Sequence, residues 1–228
     1  MEYHKYYLEQ LYPLQDRFLN FFDTHSDGKF YLTGGTALSR FYYHHRYSDD
    51  LDFFSVKEFT NFRETLSKFL DDARKKSFSI DVETISDHFF RLYVKEKEIS
   101  LKIDFVNEIV FHWGDTIKFQ LFSCVDNQMN ILSNKISCIN RHEVKDIVDI
   151  WVLAKQLSFS WKDIIDIANK KSPVDPIDVS RTIKSLPREE LNIIKWAMDV
   201  NLDKIYGDLQ TVAEDILLGH TNTLKEKI

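Results

Sequence analysis

The stretch from Phe30 to Phe54, FYLTGGTALSRFYYHHRYSDDLDFF, decides the fold class. Phe30-Tyr31-Leu32 is a short β-type run, and Gly34-Gly35 ends it where the chain must turn sharply or bring bare backbone against a ligand. Thr36 is placed to cap a helix running from about Ala37 to His45. Such a helix directs its free N–H groups and the positive end of its dipole at whatever lies over the glycines, which suits phosphate. Asp50-Leu51-Asp52-Phe53 reads as a second strand. Its period of two sends Asp50 and Asp52 to one face and Leu51 and Phe53 to the other, so two carboxylates stand together while the apolar pair enters a core. Like charges at that spacing repel. A hard divalent cation between them makes the pairing favourable, and Mg²⁺ typically takes one or two carboxylates plus substrate phosphates. The stretch is therefore read as a nucleotide and metal site.

Composition narrows the surroundings of that site. A chain of 228 residues that is 43% hydrophobic, with only 6 Gly and 4 Pro, buries a core and leaves little room for disorder. No apolar run approaches the roughly 20 residues that span a bilayer, and Met1-Glu2-Tyr3-His4-Lys5 has no signal-peptide core, so no membrane partner and a cytoplasmic location are expected. Cys124 and Cys138 form no C-x-x-C pair and read as small apolar residues in a reducing compartment. His44-His45 points to two sides of a helix and supports neither zinc nor a triad. The net charge is -6, and neither half of the chain has a basic excess, so any RNA must be gripped locally rather than by a global field.

In chain order, residues 2–24 carry Leu8, Leu11, Leu14, Phe18, Phe21 and Phe22 at helical spacing, with Pro13 starting or kinking a helical piece. Glu58 to Lys76 reads as an amphipathic helix with Phe59, Phe62, Leu66, Leu70 and Ala73 on one stripe. From Ser79 to Val106 the period becomes two, giving three strands joined by hairpins, with Lys102 and Asp104 on one face of the last. The link between the strands at Tyr31 and Phe53 is a helical crossover, so a mixed sheet follows. Ile117 to Phe122 suggests one more strand. A boundary near Val125 then separates a first domain, 1–125, from a helical bundle, 126–228. Its helices run from an Asp126 cap to about Asn140, from His142 to Leu157, from Pro187 to about Val200, and from Leu202 to a stop at Gly219. The fold class expected is α+β: a mixed β-sheet with flanking helices followed by the bundle.

Gly34-Gly35-Thr36-Ala37-Leu38 followed by Arg46-Tyr47-Ser48-Asp49-Asp50-Leu51-Asp52-Phe53 resembles the GGTAL…RxSxDLDF signature of the AbiEii/AbiGii toxin family, within the nucleotidyltransferase superfamily. The superfamily pattern adds a third carboxylate on a later strand, and Asp104 stands at that point. Lys135, Arg141, Lys145, Asp146 and Asp149 resemble the family's second region, Lys-x-x-Ala…Arg…Arg-Asp-x-x-Asp, with Cys138 in place of Ala and Lys145 in place of the first Arg of the Arg-Asp pair. The resemblance implies metal-dependent transfer of a nucleoside monophosphate from an NTP to an acceptor hydroxyl. Asp50, Asp52 and Asp104 are then the catalytic acids and the ligands of Mg²⁺ or Mn²⁺. Gly34, Gly35 and Thr36 cradle phosphate, and Ser48 buttresses the loop. Arg46 either neutralises the triphosphate or orients the carboxylates, Lys135 meets the triphosphate as a point charge, and Asp146 is grouped with it on the substrate side. Related toxins suggest a tRNA 3′ end as acceptor, and the family implies the toxin half of a bacterial toxin–antitoxin or abortive-infection system with an antitoxin encoded nearby. A protein or small-molecule acceptor, or a catalytically silent nucleotide- or RNA-binding adaptor on the same scaffold, are the alternatives.

Overall fold

In a computed structural model describing residues 2–57, 59–107 and 111–225, the alternation between Ser79 and Val106 resolves into β3 (Ser79–Ile85), β4 (Phe89–Glu96) and β5 (Ile99–Val106). They join β1 (Phe30–Thr33) and β2 (Leu51–Ser55) in a five-stranded sheet of order β1-β2-β5-β4-β3. The sheet is mixed as expected. The parallel pair, however, is β2–β5, while β1 and β2 run antiparallel despite the helix between them. The chain forms two compact units. One comprises 1–42, 47–109 and 115–126, and the other 43–46, 110–114 and 127–228.

The first unit is built on one apolar sheet face. α1 (Glu2–Tyr6) passes through a π-helical turn, Tyr7–Leu11, into α2 (Tyr12–Ser26). The turn closes on an N–H of Tyr12 donated to the Tyr7 carbonyl, five residues back, just before Pro13, whose nitrogen has no proton to donate. α2 buries Leu14, Phe18, Leu19 and Phe22, and α4 (Phe62–Lys75) buries Phe62, Leu66, Phe69, Leu70 and Ala73. Both meet the inward residues of β2 and β5. Phe53 and Phe105 stack with ring centres 5.1 Å apart, Phe22 stands edge-on to Phe53 at 4.6 Å, and Phe69 packs on Phe22 at 5.0 Å. A buried phenylalanine contributes roughly 2–3 kcal/mol, so this cluster fixes which face of each strand turns inward. The opposite face carries Asp52, Lys102 and Asp104, together with Phe54 and Val106.

The second unit is helical: α5 (Gln128–Ser137), α6 (Val144–Gln156), α7 (Trp161–Asn169), α8 (Pro176–Lys184) and α9 (Leu202–Leu218). Side chains of Asn127, Ser160, Asp175 and Asn201 cap four of these N-termini, and Gly219 ends α9 in the left-handed conformation. Among the described residues no helix is long and apolar enough to cross a membrane.

Several expected boundaries move. The helix after the glycines opens at Gly34, as α3 (Gly34–Thr36) continuing π-helically over Ala37–Tyr43, so Thr36 is no cap. Its hydroxyl donates to the Asp50 carbonyl instead. α4 opens at Phe62, since Asn61 ends the preceding turn, and Glu58 lies outside the described residues. Residues 117–122 make only an isolated bridge, Ile117 to Val125. Asp126 does not cap α5: its buried carboxylate accepts from Thr33 Oγ1 at 2.6 Å, and Asn127 takes the cap. After Pro187 there is one 3₁₀ stretch, Arg188–Ile193, because Trp196 and Ala197 are drawn into backbone pairing with residues 45 and 46.

Gly34 and Gly28 give a matched pair of tests. Both hold positive φ (+73° and +66°), but a Cβ on Gly34 would lie 2.7 Å from Asp52 Oδ2, whereas one on Gly28 meets nothing within 4 Å. Alanine at either site should cost on the order of 1 kcal/mol for backbone strain, and Gly34→Ala about 1 kcal/mol or more beyond that, read from urea midpoints. Equal losses would show that the Asp52 side chain swings aside freely.

Candidate active site

The sheet register lines up four polar residues in one row. Thr33 on β1 pairs with Asp52 on β2, Asp52 with Asp104 on β5, and Asp104 with Arg91 on β4. The rows on either side are apolar on the core face, Leu32-Phe53-Phe105-Phe90 among them. Strand alternation therefore puts two carboxylates next to each other on the face away from the phenylalanines. Asp50 stands one residue ahead of β2. The parallel register, continued back by one, sets it beside Lys102, and Lys102 Nζ lies 2.5 Å from Asp50 Oδ2.

Two cations already serve these three acids. Arg91 holds both oxygens of Asp104 with its guanidinium fork, Nε to Oδ1 at 2.7 Å and Nη2 to Oδ2 at 2.8 Å. The Arg91 pKa is pushed upward by that bond, against the opposing effect of partial burial. Burial alone would lower Lys102, but Asp50 and then the charges of Asp104 and Asp52 outweigh it and raise its pKa. All three carboxylates thus act on one ammonium position, which marks where negative potential converges. The donors are hard oxygens, the type that Mg²⁺ and Mn²⁺ take. Among the described residues no three His, Cys, Asp or Glu side chains already stand in ligand geometry, consistent with Asp104 being turned into the Arg91 fork.

The turn before the row is held from α2. Gln15 Nε2 donates to the carbonyls of Ser48 at 3.3 Å and Asp49 at 2.9 Å, and the Ser48 N–H donates to Tyr12 Oη at 3.2 Å. Ser48 is thus fixed through its backbone by two residues of another helix. Gly34, whose left-handed backbone lies against Asp52, needs the absence of a side chain for both reasons.

The second unit contains a separate, buried cluster. Arg46, 3% exposed, grips Asp149 bidentately, Nε to Oδ1 at 2.7 Å and Nη2 to Oδ2 at 2.8 Å. Lys135 pairs with the same carboxylate at 2.8 Å and with Asp146. His45 Nε2 lies 2.9 Å from Asp149 Oδ1, while its buried Nδ1 has no hydrogen-bond partner among the described residues. Against burial, which would raise it, Arg46 and Lys135 hold the Asp149 carboxyl well below the usual range. Burial lowers Lys135, but Asp149 and Asp146 more than restore it. Burial dominates at His45 and keeps the imidazole neutral, with Nε2–H donating to Asp149. The helical pattern of α6 puts Asp149 away from the Val144-Ile147-Val148-Trp151 stripe, yet that side is buried too, because three cationic or polar groups close over it.

Residue type alone marks neither Arg91 nor His45 as a site residue, whereas strand alternation puts Lys102 on the Asp104 face. Arg91 was within reach: the two-residue turn at Lys97-Glu98 pairs Glu96 with Ile99, and counting back along the hairpin puts Arg91 opposite Asp104. Asp149 as the partner of residues 45 and 46 had no such local signal.

A family model described as "Nucleotidyl transferase AbiEii toxin, Type IV TA system" matches residues 18–195. A search of curated proteins found no match. Among solved structures, the chain is similar to JHP933 from Helicobacter pylori, at 19% identity and a TM-score of 0.62 over 90% of this chain and 91% of that one. It is also similar to MenT4, a nucleotidyltransferase toxin from Mycobacterium tuberculosis, at 14% identity and a TM-score of 0.61 over 90% of this chain and 82% of that one. At these identities the likeness is one of fold.

The buried imidazole sets a pH dependence. A histidine whose pKa is lowered in the fold is neutral there, while the unfolded chain protonates it below about pH 6.5, so its contribution is present above that pH and lost as pH falls through it. The unfolding free energy, measured at pH 7.5 and 5.5, should decline more in the wild type than in His45→Gln, by up to about 1.4 kcal/mol per pH unit. Parallel declines would mean that the fold accepts an imidazolium at this position.

Proposed function

The chain belongs to the AbiEii nucleotidyltransferase toxin family and is a nucleotidyltransferase, and from that premise we propose that it transfers a nucleoside monophosphate from an NTP to the hydroxyl of an RNA end, with a tRNA 3′ end as the expected acceptor. The observation that carries the reading is the row in which Asp52 pairs with Asp104, with Asp50 one residue ahead held by Lys102 and Gly34 packed against Asp52. Asp50 and Asp52 would hold Mg²⁺ or Mn²⁺, which, when bound, neutralises phosphate charge and polarises the reacting phosphorus. Asp104, held by Arg91, adds its charge to the same point. Lys102, whose ammonium pairs with Asp50, would be the residue placed to meet a phosphate oxygen if Asp50 were engaged by such a cation. The acceptor oxygen attacks the α-phosphorus, the bond to the α,β-bridging oxygen breaks, pyrophosphate leaves, and the hydroxyl proton passes to a carboxylate of the row. The backbone of Gly34 and Gly35, with Thr36, is the proposed phosphate cradle.

Lys135 and Asp146 are the proposed second group of substrate contacts. They keep some side-chain surface, 12% and 14%, whereas Asp149 has none, so the pair is the accessible part of a cluster that Asp149 anchors. Arg46, fully engaged by Asp149, is proposed to support that group rather than touch the nucleotide. The family's type IV toxin–antitoxin description supports an antitoxin partner, and a cytoplasmic site of action accords with an NTP donor.

Purified protein incubated with each labelled NTP, Mg²⁺ and either bacterial RNA or cell protein should label RNA in the tRNA size range. EDTA should abolish the label, and Asp52→Asn should reduce it by several orders of magnitude while leaving the melting temperature within a few degrees of the wild type, since the change relieves repulsion between acids. Label confined to protein would replace the acceptor in this reading, and transfer surviving in EDTA would remove the metal from it.

A further inference from the structure

We propose that Phe111 and Trp113 form a stacking platform for the bases of single-stranded RNA, with Lys170 and Lys171 supplying contacts to its phosphates. The proposal deepens the RNA-acceptor reading above and rests on it for its biological meaning. Both rings are exposed, Phe111 at 37% and Trp113 at 42%, in a unit whose Trp161 is fully buried and Trp151 nearly so. Their centres are 6.3 Å apart with planes 44° to each other, so neither covers the other's face. Lys170 Nζ lies 4.8 Å from the centre of the Phe111 ring.

The backbone at Trp113 is clamped. The Trp113 N–H donates to Asn130 Oδ1 at 2.9 Å, and the Trp113 carbonyl accepts from Asn127 Nδ2 at 2.6 Å. Gly114, at φ +73°, lets the chain pass Asn127, whose Nδ2 would lie 3.1 Å from a Cβ there. Asn130 is itself buried, and its Oδ1 also accepts from Lys171 Nζ. One buried amide oxygen therefore meets both the backbone of Trp113 and the ammonium of Lys171, which also donates to Asn134 Oδ1. An exposed Trp113 ring on a fixed backbone, with the exposed Phe111 ring and two ammonium groups beside it, is preorganised in part, so binding forfeits less ordering entropy.

The chemistry of the patch selects the ligand. A purely apolar protein face would meet the rings but leave two ammonium groups opposite nothing anionic, whereas a single strand offers a π-face and a phosphate with every nucleotide. A duplex keeps its base faces stacked internally. The acid nearest in sequence on α7, Asp166, is paired with Lys162. In a chain of net charge -6, binding must come from stacking and a few local contacts, so the salt dependence should be shallow.

The test uses the full chain, no NTP, and a short fluorescein-labelled oligouridylate read by anisotropy. Trp113→Ala and Phe111→Ala should each weaken binding by about tenfold or more, and Trp113→Phe, which keeps a ring, should recover most of it. Lys170→Ala with Lys171→Ala should reduce the slope of log K against log salt by about 1.4, the value for two phosphate contacts on a single strand. Wild-type protein that fails to bind the oligouridylate, or alanine variants with unchanged melting temperature that bind it as tightly as the wild type, would overturn the platform. Because no NTP is present, these outcomes are separate from those of the transfer assay: RNA labelling with an unchanged RNA KM in Trp113→Ala would overturn the platform while the nucleotidyl-transfer reading stood.

Discussion

Asp52 and Asp104 stand side by side on adjacent parallel strands, and two ionised carboxylates in that register repel each other. The phenylalanine cluster behind the sheet imposes the register, since a slip of one residue in either strand would turn Phe53 or Phe105 outward and bring a carboxylate into the core. Hydrophobic burial thus holds the acids together against their own electrostatics. Lys102 and Arg91 relieve the strain, each from a position that the same sheet register dictates. Gly34 then brings bare backbone up to the row, where any side chain would push the Asp52 carboxylate aside.

The two charged clusters of the molecule solve opposite problems. In the sheet row, Asp50 and Lys102 keep substantial surface, so their pairing is weakened by solvent and can be exchanged for another cation. Around Asp149 the pairing is closed. A fully buried carboxylate takes a bidentate guanidinium, an ammonium and an imidazole N–H, and loss of one partner would leave uncompensated charge in a dry interior. The first arrangement suits exchange with a ligand and the second suits holding neighbours in place. Residues with the same formal charges therefore divide into replaceable and fixed groups according to burial.

Periodicity made the sheet legible: the alternation from Ser79 to Val106 gave three strands, and Asp50-Leu51-Asp52-Phe53 gave the facing of acids and phenylalanines. It did not give strand direction, because a helix between β1 and β2 is compatible with either sense, and the pairing was settled by β5 inserting beside β2. Caps misled at two places. Thr36 and Asp126 both have capping side chains, but each finds a longer-range partner, the Asp50 carbonyl and the Thr33 hydroxyl. Spacing on α6 placed Asp146 and Asp149 on one face and could not reveal that the face is buried, since its cover comes from residues 45 and 46, about a hundred positions earlier. Local pattern reports what a helix presents, and not what arrives to meet it.

That sequence separation has a meaning in time. Arg46 leaves the ribosome 103 residues ahead of Asp149, an interval of roughly 5–20 s at ordinary rates of synthesis. During it, the sheet strands from Leu51 to Val106 can pair among themselves, since all of their partners are made well before Asp149. The guanidinium of Arg46 and the imidazole of His45 must wait in water until α6 emerges. Their charge and polarity keep that waiting segment solvated, where an apolar one would offer a nascent chain a surface to stick by. The ionic closure at Asp149 thus doubles as a late-acting latch that cannot fasten until α6 has been made.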